Sequence, residues 1–374
     1  MKKIGIINYQ YSNHNYGAVL QAAALNYFIK KSGHDAEHIN YIPESVIPKW
    51  DTKIKARVRN FLMALGLKER KISHESFSNP EIFENFRCKW LTRTIKTFKS
   101  LEDLKLESFT YSHVIVGSDQ VWRPSYTADS SLVYFLSFLD GNIKRISYAA
   151  SFGNDVWELN ELETAPLVKE LKKFSAISVR EITGVDICRD TFDVDAQHVL
   201  DPTLLVGREF FDLIIEQEQE QEQEQEQGNI VFYKLDVDNV FEKFIVNISK
   251  KLNVVAKNIY FTPHGRKNYY QPIDSWLRDI RNSKLVITDS FHCVCFAILF
   301  EKPFLYYPND TRGITRLESL LGLLDLGQHI YRKDTDPVTL TLSLMKLDYT
   351  QVNKKLEKLR VTSSMFIQDS IGCE

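Results

Sequence analysis

Residues 285–300, LVITDSFHCVCFAILF, place a titratable imidazole where an anion could be handled. An apolar strand, Leu285–Thr288, runs into a polar turn, Asp289-Ser290, and an apolar helix follows from about Phe291. His292 then lies in the first helical turn, where backbone N–H groups lack partners and the helix dipole favours negative charge. An imidazole there could stabilise a phosphate or deliver a proton, with Ser290 and Asp289 beside it. The same turn also fits a capped core helix with a satisfied histidine, and these residues alone leave both open. Arg180, in AISVRE (176–181), ends another apolar strand. It could make a bidentate contact with carboxylate or phosphate, or an ion pair with Glu181. Arg312 and Arg316, in NDTRGITRLESLL, precede a further amphipathic helix and could point into the same cleft.

A second group of residues suits sugar hydroxyls. GSDQVW (117–122) combines Asp119 and Gln120 with an indole, Trp122, fitted to the apolar face of a sugar ring. The loop QYSNHNYGAVLQ (10–21) adds Asn13, His14, Asn15, Tyr16 and Gln21, of which Asn15, Tyr16 and Gln21 are the candidate acceptor contacts. Only Gly17 is present where a dinucleotide site needs a glycine-rich turn, so an NAD site is not expected. A strand-terminating turn with a buried tryptophan, and an ordinary polar loop, are the bland readings of these two segments.

The elements that must position these residues alternate between strand and helix. The opening reads as βαβ: a strand over 3–9, a polar loop, a helix over 18–31 closed by Gly33, and a strand over 36–41. Short apolar strands follow at 113–117, 145–150, 176–179 and 197–200, each ending in polar or glycine-containing residues. The second half repeats the pattern, with strands at 229–235, 259–261, 285–288 and 303–307 and helices at 240–252 and 273–282. This predicts an α/β chain with mostly parallel sheets and loops gathered at their carboxyl edges. The expected organisation is a Rossmann-like domain over 1–215, on the acceptor side, with a helical insertion at about 43–110. A Glu/Gln linker over 216–227 leads to a second Rossmann-like domain over 228–345, on the donor side. A C-terminal helix and tail over 346–374 packs back across the boundary. Two such domains facing a cleft make a glycosyltransferase-B-like architecture.

Composition narrows the class. The chain has 374 residues, enough for two domains, and 44% are hydrophobic. The net charge is −2, and the six glutamates of the alternating Glu/Gln tract make an otherwise mildly basic chain acidic, so no nucleic-acid partner is expected. Five cysteines in no paired spacing read as free thiols in a reducing compartment, without a metal site. No signal peptide and no apolar run long enough to span a bilayer is seen, which points to a cytoplasmic protein. Residues 49–71 hold eight Lys/Arg against two acids around an apolar stripe. Such a helix either covers the protein body with its charges in water or lies peripherally on an anionic membrane.

Seven segments together, NYGAVLQ, GSDQVW, SYAASFG, SVRE, VLDPTLL, TDSFH and KPF, resemble in order the polysaccharide pyruvyl transferase family, from the first strand to about residue 326. The resemblance implies a glycosyltransferase-like, two-domain fold. It implies transfer of pyruvate from phosphoenolpyruvate to two hydroxyls of a sugar, in a surface polysaccharide or its lipid-linked precursor, giving a cyclic ketal. Residue by residue it puts Arg180 and His292 on phosphoenolpyruvate, with an arginine near the start of the RLESLL helix, Arg316 ahead of Arg312. Asp289 would orient the imidazole or act as the acid. No cofactor or metal is implied beyond the donor itself. Cys293 is one departure, since many relatives show glycine after the histidine, and its side chain would crowd a phosphate. A nucleotide-sugar-dependent glycosyltransferase of the same architecture and a non-catalytic sugar-binding protein are the alternative readings.

Overall fold

A computed structural model describes residues 1–44, 77–217 and 229–372, apart from 236, 266, 310–313 and 333. The basic segment 49–71, Arg312 and nearly all of the Glu/Gln tract lie outside the described residues.

Six strands form the first sheet: β1 (Lys3–Ile7), β2 (Asp35–His38), β3 (His113–Val116), β4 (Lys144–Ala150), β5 (Ala176–Val179) and β6 (Gln197–His198). All are parallel, in the order β2-β1-β3-β4-β5-β6. Ile4, Ile6, Ile7, Val114, Ile115 and Val116 are completely buried. A parallel strand covered on both faces needs such an unbroken apolar run rather than an alternating one. Helix α1 (Tyr16–Lys31) follows β1, and its start is capped by Asn15, whose side chain accepts from Ala18 N. Next come α2 (Glu81–Trp90), α3 (Ile182–Phe192), α4 (Pro202–Val206) and α5 (Arg208–Glu216).

The second sheet contains β7 (Ile230–Tyr233) and β8 (Ala256–Asn258). After them come an antiparallel hairpin, β9 (Phe261–His264) and β10 (Lys267–Tyr270), and then β11 (Leu285–Thr288) and β12 (Phe304–Tyr306). Its order is β12-β11-β7-β8, again parallel. The strand expected at 259–261 is displaced. Pairing with β7 is made three residues earlier, and Asn258 Oδ1 then accepts from Tyr260 N at 2.9 Å. That local side-chain bond turns the backbone out of the ladder and into the hairpin. Helices of this half include α6 (Ile273–Asn282), α7 (Phe291–Leu299), α8 (Thr315–Leu323) and α9 (Tyr349–Ile371).

Each sheet has one place where strand order reverses: between β1 and β3 in the first, between β7 and β11 in the second. Loops leaving the carboxyl ends of such neighbours diverge and open a crevice. The domains are also joined through a shared core. Tyr16, Val19 and Leu20 of α1 belong to the same buried cluster as Trp276 and Phe296 of the second domain. The Tyr16 ring stacks on Trp276 with centroids 5.0 Å apart, a pair worth about 0.5–1.5 kcal/mol beyond its buried area. Helix α9 spans the boundary: Tyr349 Oη donates to Lys302 O, while Arg360 Nε donates to Leu204 O and Ser363 Oγ accepts from Leu200 N.

Candidate active site

The turn after β11 is built as its residue types dictate. Ser290 caps α7, its hydroxyl accepting from Cys293 N at 3.4 Å, and Thr288 Oγ1 accepts from Ser290 N at 3.0 Å. Asp289 does not orient His292, contrary to expectation. Its carboxylate turns along the sheet edge to β7, accepting from Lys234 Nζ and Leu235 N at 3.2 Å each and from Asn309 Nδ2 at 3.2 Å. It therefore ties together the strands flanking the second reversal. Cys293 points into the core, where burial pushes its thiol up to about 12, and it crowds nothing in the cleft.

His292 faces the other domain. Its Nε2 lies 3.4 Å from Asp201 Oδ2 and 3.3 Å from Arg180 Nη1. A donor and an acceptor thus compete for one ring nitrogen, and the protonation of that nitrogen decides which of them it bonds. Asp201 caps α4: Oδ1 accepts from Thr203 N at 3.0 Å and Thr203 Oγ1 at 2.7 Å, while Oδ2 accepts from Ser118 Oγ at 3.0 Å and Arg180 Nη1 at 2.9 Å. On the other side of His292 is Gly17. A Cβ at this position would lie 2.2 Å from His292 Nδ1, so only glycine lets the start of α1 approach the ring.

Arg180 stands at the centre of this arrangement. Besides Asp201, its Nη2 donates to Asp119 Oδ1 at 3.2 Å, and its guanidinium lies 4.4 Å from the centre of the Phe291 ring. The side chain is 1% exposed. Burial opposes its charge, but Asp119, Asp201 and Glu181 outweigh that penalty and raise its pKa further. Burial likewise opposes ionisation of Asp201, yet the charges of His292 and Arg180 hold its carboxyl far below the usual carboxylate range. Asp119 is lowered against burial by Arg180, His292 and Arg316. Glu181 goes the other way, raised by burial. It does not pair with Arg180 as an isolated neighbour: its Oε1 accepts from Ser151 Oγ and from the N–H groups of Phe152 and Gly153, fixing the loop after β4.

A pocket of about 70 Å³, open to solvent, lies in front of this network. The first domain lines it with Asn15, Asp119, Gln120 and Tyr126. From the second come Asp289, Ser290, Phe291, His292 and Arg316. Arg316, in the first turn of α8, has its pKa lowered by burial and then by the charge of Arg180. The two arginines flank Phe291, 4.4 and 6.0 Å from its centroid, but only Arg316 lines the pocket. Arg180 lies behind it. No cluster of three His, Cys, Asp or Glu side chains fit to hold a metal is found among the described residues.

Three candidate acceptor contacts are corrected by burial. Tyr16 is fully buried, with its hydroxyl donating to Gln271 O at 2.8 Å. Trp122 is 1% exposed, stacked near Phe135, and its Nε1 donates to Tyr134 O at 3.1 Å. Gln21 is buried and accepts from Ser118 N at 3.2 Å, bracing the loop after β3 rather than facing a ligand. An aromatic or amide in a polar sequence motif supplies core packing as readily as recognition, and only its burial tells the two apart. Sequence reasoning assigned no site role to Asp201, Lys234, Gly17 or Tyr126, although Gly17 and Asp201 stand within NYGAVLQ and VLDPTLL. Asp201 was detectable: like Asp119 and Asp289, it is an acid in the turn that follows a strand.

A family model for polysaccharide pyruvyl transferase matches residues 15–311. No curated protein matches the chain. Among solved structures, UDP-GlcNAc 2-epimerase from Neisseria meningitidis bound to UDP-GlcNAc is similar at 11% identity and a TM-score of 0.50, with 99% of each chain covered. A putative UDP-N-acetylglucosamine 2-epimerase from Listeria monocytogenes is similar at 10% identity and a TM-score of 0.52, covering 95% of this chain and 90% of that one. At such identity these likenesses establish the fold, two Rossmann-like domains of the glycosyltransferase-B type, and nothing about ligands. No helix among the described residues is long and apolar enough to cross a membrane.

Proposed function

Because the chain belongs to the polysaccharide pyruvyl transferase family, we propose that the pocket takes phosphoenolpyruvate as donor and a sugar diol of a surface polysaccharide, or of its lipid-linked precursor, as acceptor, forming a cyclic pyruvate ketal. The observation carrying this reading is that His292, Arg316 and the start of α7 line one pocket, facing the carboxylate and amide of Asp119 and Gln120 across it. Phosphoenolpyruvate is anionic at both ends. A guanidinium, an imidazolium and a helix N-terminus with Ser290 at its cap match that charge distribution.

The reaction breaks the C2–O bond to phosphate and forms two C–O bonds at C2. One hydroxyl proton ends on C3, making the methyl group, and the other leaves with inorganic phosphate. His292 is the acid in this scheme, because Asp289 is committed to Lys234, Leu235 and Asn309. Such a placed proton donor is worth roughly 10²–10⁴ in rate. Asp201 Oδ2, 3.4 Å from His292 Nε2, sets the orientation of the ring. Arg180 serves as a positioning residue, setting Asp119, Asp201 and Phe291 rather than touching the donor. Asn15, Asp119 and Gln120 remain for the acceptor.

The test is release of phosphate from phosphoenolpyruvate by purified protein given a saccharide acceptor. His292→Ala and Arg316→Ala should each abolish it. Full activity in both variants sinks the site assignment, and stabilisation by UDP-sugars with none by phosphoenolpyruvate favours a nucleotide-sugar donor instead.

A further inference from the structure

The ring expected to carry a sugar, Trp122, is buried, but four residues later the chain presents one that is not. Tyr126, in the helical turn Pro124–Thr127, is 50% exposed and lines the pocket on the first-domain side with Asp119 and Gln120. One face of its ring is occupied, since the Arg123 guanidinium carbon sits 4.3 Å from the ring centre. Arg123 is itself immobilised: Nη1 donates to Gln120 Oε1 at 3.0 Å, and Nε donates to Ser125 Oγ and Glu158 Oε1 at 3.1 Å each. Glu158 is held in turn by Ser125 N at 2.7 Å. Gly153 closes the frame, for a Cβ there would meet Gln120 Oε1 at 2.2 Å and Arg123 Cδ at 2.9 Å.

A half-exposed aromatic ring normally moves, and ordering it on binding costs side-chain entropy. Here three polar groups, Gln120, Ser125 and Glu158, fix the guanidinium that backs it, so the ring is already set. A pyranose has one face rich in C–H bonds and a rim of hydroxyls. The C–H face complements the negative face of an aromatic ring, and the rim needs hydrogen-bonding partners close by. Asp119, Gln120 and Asn15 line the same pocket.

We propose that Tyr126, backed by Arg123, is the stacking platform of the acceptor subsite, receiving the apolar face of a pyranose and turning its hydroxyl rim toward Asp119, Gln120 and Asn15. That the bound sugar is the nucleophile rests on the pyruvyl-transfer reading above; that it binds does not.

Saturation-transfer NMR on the full chain with the methyl pyranosides of galactose, glucose and mannose, and no phosphoenolpyruvate, reads the platform alone. Transfer should concentrate on the C–H protons of one sugar face. Tyr126→Ala should weaken binding about tenfold, the loss of one aromatic contact, with an unchanged unfolding midpoint, while Tyr126→Trp keeps it. Absence of transfer from all three sugars, or equal transfer in Tyr126→Ala, overturns the proposal. In turnover, Tyr126→Ala should raise acceptor KM and leave phosphoenolpyruvate KM alone, and an equal rise in both also overturns it. Sugar binding without phosphate release in the wild type defeats the transfer reading and leaves the platform standing.

Discussion

The two sheet edges that meet at the pocket share a geometry and differ in how their charges are engaged. Both arise where strand order reverses, β1 beside β3 and β7 beside β11. At the first-domain edge, buried Arg180 holds both Asp119 and Asp201, and of the three only Asp119 reaches the pocket. At the second-domain edge, Ser290, His292 and Arg316 keep surface on the pocket. One edge is a closed electrostatic frame, and the other presents groups that the frame orients. The arginines make the contrast sharpest: the carboxylates around Arg180 raise its pKa, whereas Arg316 is lowered by burial and by Arg180 itself.

Replacing each arginine should separate frame from presentation. Arg180→Ala leaves Asp119 and Asp201 buried without their counter-charge. Removing one partner from a buried ion pair costs about 3–5 kcal/mol, which urea unfolding will read directly. Arg316→Ala should destabilise less than Arg180→Ala, since Asp119 and Asp201 keep their bonds to Arg180, while abolishing phosphate release. Equal destabilisation by the two changes would erase the distinction.

A smaller effect concerns pH. The folded pKa of Asp201 is depressed, so its ionised form stabilises the fold. That contribution is complete above the unfolded value of about 3.9 and is lost as pH falls through the folded value. The stability gap between wild type and Asp201→Asn should therefore be flat near neutrality and narrow below about pH 4. A gap that widens in acid would mean the carboxylate is not what the frame stabilises.

The smallest expected effect falls at the joint between the two regions. Tyr16→Phe removes a hydroxyl that donates to Gln271 O across the domain boundary. It should cost about 1 kcal/mol in unfolding and leave acceptor KM untouched. A rise in that KM would return Tyr16 to the acceptor subsite.

Much of the architecture was legible because apolar periodicity records burial directly. The unbroken run at His113–Val116 and the strand–turn–helix at 285–299 fold as their patterns predict. The hairpin at 261–270 was missed, since the turn that diverts the chain depends on one Asn258 side-chain bond. At the site, the helix start at Ser290 and His292 was legible for the same local reason. The partner of His292 was not. Asp289 lies three residues away in sequence, but its carboxylate runs along the sheet to Lys234, while Asp201, ninety-one residues earlier, meets the imidazole from the other domain.

What the sequence determined by itself is everything that follows from neighbours along the chain: strands from apolar runs, caps from Ser and Asn, carboxyl-edge loops from their polar residues, and the family from motifs in order. What only the tertiary structure decided is which charges face which. Arg180 could have been a ligand or a buried counter-ion, and Trp122 and Tyr126 could have exchanged roles. Composition does not choose between such alternatives, because an aromatic ring or a guanidinium is stabilised equally well by a core, a counter-charge or a ligand. Burial chooses, and it is set by how two domains close on one another.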